Sequence, residues 1–206
     1  MKIRYPDLLT VYTAAENITF AEKDNPHHDG VSPVELYWND VHVALSQGDT
    51  LHISLTAQES EVTYLRLRFN FTEEEKRAYI LILGDDYERG YGKFRWEGII
   101  PERVMPWYML VSNGNDRYPD TTGRHTDAYG VMVRPAAICT WQYDGAGVTL
   151  WCDVRNGGAG VQLGGRTLSV CDVVMEEYEN VTAYEAGQSF CRRMCPDPLV
   201  PDHKVY

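Results

Sequence analysis

The chain is 206 residues long, 44% hydrophobic and 24% charged, with a net charge of -11; it has enough apolar material for one sizeable core and is expected to fold rather than stay disordered. That acidity works against nucleic acid and anionic membrane surfaces as partners, because both are bound through basic side chains. No apolar run approaches the roughly 18 residues of a membrane span, and the start MKIRYPDLLT has no apolar signal core, so a soluble cytoplasmic protein is expected.

Read in order, the chain alternates short strand-like runs with turn clusters. Residues 8–13, 17–21, 34–38 and 41–45 are β-type segments, separated by the KDNPHHDG cluster and the Trp38-Asn39-Asp40 corner. His27, His28 and Asp29 sit side by side in that cluster, but neighbouring side chains of an extended segment diverge, so a polar loop is expected there rather than a metal site. Over 50–57 the apolar Leu51, Ile53, Leu55 and Ala57 share one side, with His52, Ser54 and Thr56 on the other. Over 62–70 Leu65, Leu67 and Phe69 oppose Arg66 and Arg68, again the period of a half-buried strand. Thr72 and Glu75 have the spacing of a capping box and predict a single helical turn. The nearly continuous apolar run that ends at Leu83 reads as a central strand.

That strand feeds LGDDYERGYGKFRW at 83–96, where Tyr87, Tyr91, Phe94 and Trp96 alternate with Asp85, Asp86, Glu88 and Arg89 among glycines. Flat apolar rings beside charged hydrogen-bonding groups suit a hydroxyl-rich sugar, which makes Asp86, Tyr87, Glu88, Arg89, Tyr91 and Trp96 the candidate substrate-binding residues. Turn chemistry from Asp-Asp and Gly-Tyr-Gly, with Trp96 an ordinary core ring, explains the same residues without a ligand.

After Pro106 a strand is predicted at 107–111, and the polar segment 112–127 is too rich in turn residues for a core element, so it reads as a long loop. Strands resume at 129–134, 138–143 and 148–154, the last two joined by a hairpin through 144–147. Arg155 to Gly160 resembles a phosphate-cradling loop only superficially, since no helix follows and no Lys–Ser/Thr pair is present; a tight turn is expected, then a strand over 167–175. The period changes only near the end. Thr182 and Glu185 form a second capping box, and Gly187, Phe190, Cys191, Met194 and Cys195 fall on one helical face, predicted to pack through Phe190, Cys191 and Met194.

Pro196 stops that helix and opens an extended, proline-punctuated tail. Cys191 and Cys195 with His203 lack the remaining ligands of a zinc site, and the five cysteines, Cys139, Cys152, Cys171, Cys191 and Cys195, show no disulfide spacing. Free buried thiols are therefore expected, with no metal and no cofactor. Strands recurring without helical crossovers point to an all-β antiparallel sandwich with one short C-terminal helix.

Three segments resemble bacterial proteins related to family-36 glycoside hydrolases, the α-galactosidase-like group: LGDDYERGYGKFRWEG at 83–98, GVTLWCDVRNGGAGVQLGGR at 147–166 and AYEAGQSFCRRMCPDPLVPDHKVY at 183–206. The resemblance covers most of the chain in order and is densest from residue 83 onward. In that family an N-terminal β-sandwich, of the supersandwich type, precedes a (β/α)8 barrel that carries the catalytic aspartates. The resemblance thus implies a sandwich domain over 1–180, a helix packed on it over 181–195, and a linker over 196–206 leading toward a barrel.

A barrel of about 250 residues cannot fit beside a sandwich in this length. Neither Asp85-Asp86 nor Glu176-Glu177 offers the facing carboxyl groups, about 5–5.5 Å apart, of a retaining glycosidase. The expected function is a non-catalytic accessory domain of an α-galactosidase-like glycoside hydrolase, with the barrel of the same protein and carbohydrate as partners and homo-oligomer formation left open. An independent carbohydrate-binding module is the alternative, and it requires exposed coplanar rings among Trp38, Trp96, Trp107, Trp141 and Trp151.

Overall fold

The structure is a computed structural model and describes residues 3–21, 33–76, 80–88, 95–113, 125–155 and 158–198. The candidate residues Arg89 and Tyr91, the His27-His28-Asp29 cluster and the tail beyond Pro198 lie outside the described residues. In chain order the elements are β1 (Leu8–Thr13), β2 (Asn17–Ala21), β3 (Val34–Trp38), β4 (Val41–Gln47), β5 (Leu51–Ala57), β6 (Glu61–Asn70), β7 (Leu81–Gly84), β8 (Met105–Pro106), β9 (Tyr108–Ser112), β10 (His125–Val131), β11 (Ile138–Tyr143), β12 (Gly147–Asp153), β13 (Val161–Gln162), β14 (Thr167–Glu179) and α1 (Ala183–Met194). They form an antiparallel β-sandwich. One sheet runs β2-β1-β6-β12-β11-β8, with β13 also on β6, and the other runs β3-β4-β5-β14-β10-β9-β7. No helix among the described residues is long and apolar enough to cross a membrane.

The alternating patterns place the core as expected. Leu51, Ile53, Leu55 and Ala57 of β5 are buried against Leu65, Leu67 and Phe69 of β6 and the inner faces of β11 and β12. Two irregularities correct the phase where strict alternation would turn a large side chain outward. The β1–β6 register shifts between Tyr12 and Thr13, which keeps both Val62 and Leu65 inside. The β14–β5 register shifts between Ser169 and Cys171, so Val170 is an extra residue and Cys171 enters the interior opposite Ile53.

The predicted strand 107–111 is broken at its first residue. Trp107 has φ +67 and separates β8, which pairs with β11 in the first sheet, from β9, which pairs with β10 in the second. Its N–H donates to the Cys139 carbonyl at 3.0 Å and its carbonyl accepts from Val131 N–H at 3.2 Å, one bond to each sheet. Trp107 is thus the corner where the chain changes sheets, and left-handed backbone at such a bulky residue persists only because both sheets fix it.

The apolar run expected to be a central strand is β7 at the edge of the second sheet. Its apolar character has another cause: Ile80 and Ile82 face the inter-sheet core, while Leu83 faces a second cluster under α1. The open edge is covered by a bridge, Ile82 N–H to Glu97 carbonyl at 2.7 Å and the reverse bond at 3.0 Å. The expected loop 112–127 is also shorter than predicted, because β10 begins at His125 and pairs with a β14 that runs on to Glu179.

Thr182 caps α1, accepting from Glu185 N–H at 3.2 Å while the Glu185 carboxylate accepts from Thr182 N–H at 2.9 Å. The buried face is Ala186, Phe190 and Met194; Cys191, predicted to pack inward, is exposed because it lies one position round the helix from Phe190. That face lies on Tyr108, Leu110, Ala128 and Val174 of the outer side of the second sheet. Gly130 makes the approach possible, since a Cβ there would sit 2.8 Å from Phe190 Cε1 and closer still to Met194 Sδ.

Candidate functional site

The loop after β7 starts from a backbone held tightly by its neighbours. A Cβ on Gly84 would overlap the Met105 side chain, and the Asp85 N–H donates to the Tyr108 carbonyl at 3.3 Å. Asp85 is 2% exposed, and its Oδ1 accepts from Asp86 N–H at 2.9 Å. Asp86 Oδ1 in turn accepts from Glu88 N–H at 3.2 Å, an Asx-type turn. These first carboxylates are therefore engaged in shaping the loop. Tyr87 (56% exposed) and Glu88 project outward, whereas Trp96 is half-buried and packs on the cluster beneath α1. Of the candidate residues, Asp86, Tyr87 and Glu88 stay together and Trp96 is brought to the helix.

Two apolar cavities flank α1. One, of about 360 Å3, is formed by Leu83, Trp96, Tyr108 and Leu110 on the sheet side and Tyr184 and Gln188 on the helix. The other, of about 520 Å3, lies between Asp85, Trp107 and Tyr108, the 131–135 turn, and Met194 and Cys195. Both left-handed residues of this region, Trp107 and Arg134 (φ +66), line the second cavity. Tyr184, at 72% exposure, stands over the first.

The outer face of the first sheet carries an aromatic group that sequence reasoning did not assemble. Tyr12 and Trp151 lie 5.7 Å apart at 37°, and Tyr64 meets them edge-on at 85° and 86°. The Arg66 guanidinium lies 5.4 Å from the Trp151 ring centroid, and Arg155, paired with Asp153 at 2.8 Å, covers Tyr64 at 4.4 Å. Trp151 Nε1–H donates to Gln142 Oε1 at 2.8 Å. The hydrogen bond from Arg155 draws the Asp153 carboxyl below its ordinary range, and burial, reinforced by Asp153, pushes the Tyr64 hydroxyl upward. The rings are not coplanar, and their faces are taken by arginines and by one another. Trp141 is in the core and Trp107 is the corner.

Two further places gather functional chemistry. A cleft of about 430 Å3 opens between the edge strands β2 and β3, with Tyr37 and Trp38 exposed at 66% and 48% beside Glu16 and Glu35; Trp38 Nε1–H donates to Glu16 at 3.2 Å, and Tyr37 stacks on His42. At the end of the second sheet, His125 and Asp127 of β10 and Glu177 and Glu179 of β14 continue the inward row of Tyr129 and Met175. His125 Nε2 lies 2.8 Å from Asp127 Oδ1 and 3.2 Å from Glu177 Oε1, and Nδ1 lies 3.7 Å from Glu179 Oε1. A histidine with carboxylates is a ligand set suited to a divalent cation. Its signal was the His-x-Asp and Glu-x-Glu spacing, which places alternate residues on one face of a strand. Glu176 points the other way, toward Tyr178 and the Arg193 guanidinium at 3.3 Å, so the adjacent glutamates diverge as their spacing requires.

Cys191 is exposed on α1 and Cys195 half-buried at its end, while His203 lies outside the described residues. The other three cysteines, Cys139, Cys152 and Cys171, instead meet in the interior. Comparison of the chain with protein-family models, with curated proteins and with solved structures finds no match in any of the three.

Proposed function

We propose that this chain is the non-catalytic β-sandwich accessory domain of an α-galactosidase-like glycoside hydrolase, one that packs on a catalytic (β/α)8 barrel of the same full-length protein and lends the loop after β7 to the rim of the sugar site. The observation that carries the reading is the α1 face: two apolar cavities, with Trp96 half-buried and Tyr184 exposed along one of them. Burying such rings against a second body removes apolar area from water. Asp85, from which the loop continues into Asp86, Tyr87 and Glu88, lines the second cavity, so docking there brings the start of that loop to the boundary between the two bodies. The sequence resemblance supplies the sugar class and the barrel. The unpaired, buried Cys139, Cys152 and Cys171 accord with a reducing, cytoplasmic setting.

The test is made in the protein encoded by the complete natural reading frame. Tyr184→Asp sets a carboxylate on the docking face and should lower α-galactosidase activity by destabilising the interdomain contact, while isolated residues 1–206 carrying the change keep their stability. Equal loss of stability in the isolated chain, or unchanged behaviour of the complete protein, counts against the reading.

An independent carbohydrate-binding module is the second reading, and the β2–β3 cleft favours it, since exposed Tyr37 and Trp38 stand beside two carboxylates there. Titration of the isolated chain with galacto-oligosaccharides separates the two. Binding lost in Trp38→Ala favours the module, and no binding favours the docked accessory domain.

A further inference from the structure

Cys139 and Cys152 are direct cross-strand partners on β11 and β12, and Cys171 faces them from the opposite sheet because of the bulge at Val170. Their sulfurs lie 4.0 Å (Cys139 to Cys152) and 3.8 Å (Cys152 to Cys171) apart, all three within 4.8 Å of one another. All three thiols are buried and free. A point equidistant from three sulfurs so spaced lies about 2.2–2.5 Å from each, which brackets the ~2.3 Å length of a metal–thiolate bond.

We infer that Cys139, Cys152 and Cys171 form a three-sulfur site, bridging the two sheets, for a single soft monovalent ion of the Cu(I) type. Sulfur-only donors select soft ions. A fourth ligand, which tetrahedral zinc requires, is lacking among the described His, Cys and carboxylate groups near the triad, and this leaves three-coordination. Thiolate rather than thiol sulfur binds the ion, so loading exchanges thiol protons, released to solvent, for one Cu(I), and affinity rises with pH. Because the site spans both sheets, the ion is expected to exchange slowly, at the rate at which the sandwich opens.

The experiment uses the whole 206-residue chain with Cys191→Ser and Cys195→Ser, which removes the two thiols outside the core. Anaerobic titration with Cu(I) against a colorimetric Cu(I) chelator should show one equivalent bound, with affinity rising about tenfold per pH unit for each thiol proton released. X-ray absorption should report a first shell of sulfur only. Cys152→Ser and, separately, Cys171→Ser in that background should weaken binding at least a hundredfold, near-ultraviolet circular dichroism establishing that each variant is folded; should either fail to fold, Cys139→Ser is read in its place. Failure of the background protein to bind one equivalent, binding insensitive to these core substitutions, or a first shell containing nitrogen or oxygen overturns the inference.

Discussion

Replacing Gly130 by alanine tests the packing that creates both cavities beside α1. The added methyl would lie 2.8 Å from Phe190 Cε1 and 3.0 Å from Phe190 Cζ, and nearer still to the Met194 sulfur, and Phe190 is fully buried. The ring has nowhere to retreat, although the thioether can bend away. Overpacking of this kind costs about 1–3 kcal/mol, which for a chain of this length corresponds to a fall in Tm of roughly 2–12 °C. Met194→Ala alone removes buried volume and should cost about 2–5 kcal/mol. Combined with Gly130→Ala, the alanine at 194 frees space for the new methyl, so the double variant should be more stable than the two costs summed by about 0.5–3 kcal/mol. Urea denaturation of the four proteins, followed by tryptophan fluorescence, measures this coupling. A Gly130→Ala variant within 0.5 kcal/mol of wild type, or strict additivity, would refute the close approach of α1 to β10.

Further outcomes follow from other sites. Asp40 Oδ2 accepts N–H donors from Gln58, Glu59 and Ser60, and its Oδ1 takes the Ser60 hydroxyl at 2.6 Å, so Asp40→Ala should cost about 0.5–2 kcal/mol, as loss of a capping carboxylate does. Those bonds, led by the Ser60 hydroxyl, hold the carboxyl well below its ordinary range, so the stabilisation is present above the unfolded-state value near 3.8 and fades as pH falls beneath it; urea titrations of wild type and variant should therefore converge in acid. A thiol reagent applied to the native protein should modify Cys191 and Cys195 and spare Cys139, Cys152 and Cys171 until denaturant is added; rapid reaction of all five contradicts the interior placement. Trp151→Ala removes the ring between Tyr12, Tyr64 and Arg66 and should lower stability, while leaving any galacto-oligosaccharide titration unchanged if that face is self-saturated as described.

Much of the sandwich was legible because its strands are one-sided. The β5 alternation and the β11–β12 hairpin are legible in the residues; the pairing of Cys139 with Cys152 across that hairpin is read from the structure. Reading failed where two causes leave one signature. Leu83 and Ile82 look alike in sequence whether a strand is central or is an edge strand covered by a helix, and only the position of α1 separates those cases. His125 and Asp127 read as loop in the sequence because polar inward residues carry no apolar period, although they extend a strand row. The convergence of Cys171 on the other thiols depends on a single extra residue at Val170, which leaves no periodic trace. Of the candidate sugar residues, Trp96 lines the hollow beside α1, while Asp86 and Glu88 are tied into a turn whose aspartate chemistry is as legible as any ligand chemistry.

The accessory-domain reading is tested most directly by assaying residues 1–206 and the product of the complete natural reading frame side by side on 4-nitrophenyl α-galactoside. The account predicts turnover by the longer protein alone, with a (β/α)8 barrel supplying its carboxylates. Turnover by residues 1–206 that disappears in Glu177→Gln or Asp127→Asn, or a complete protein with no barrel, would contradict it.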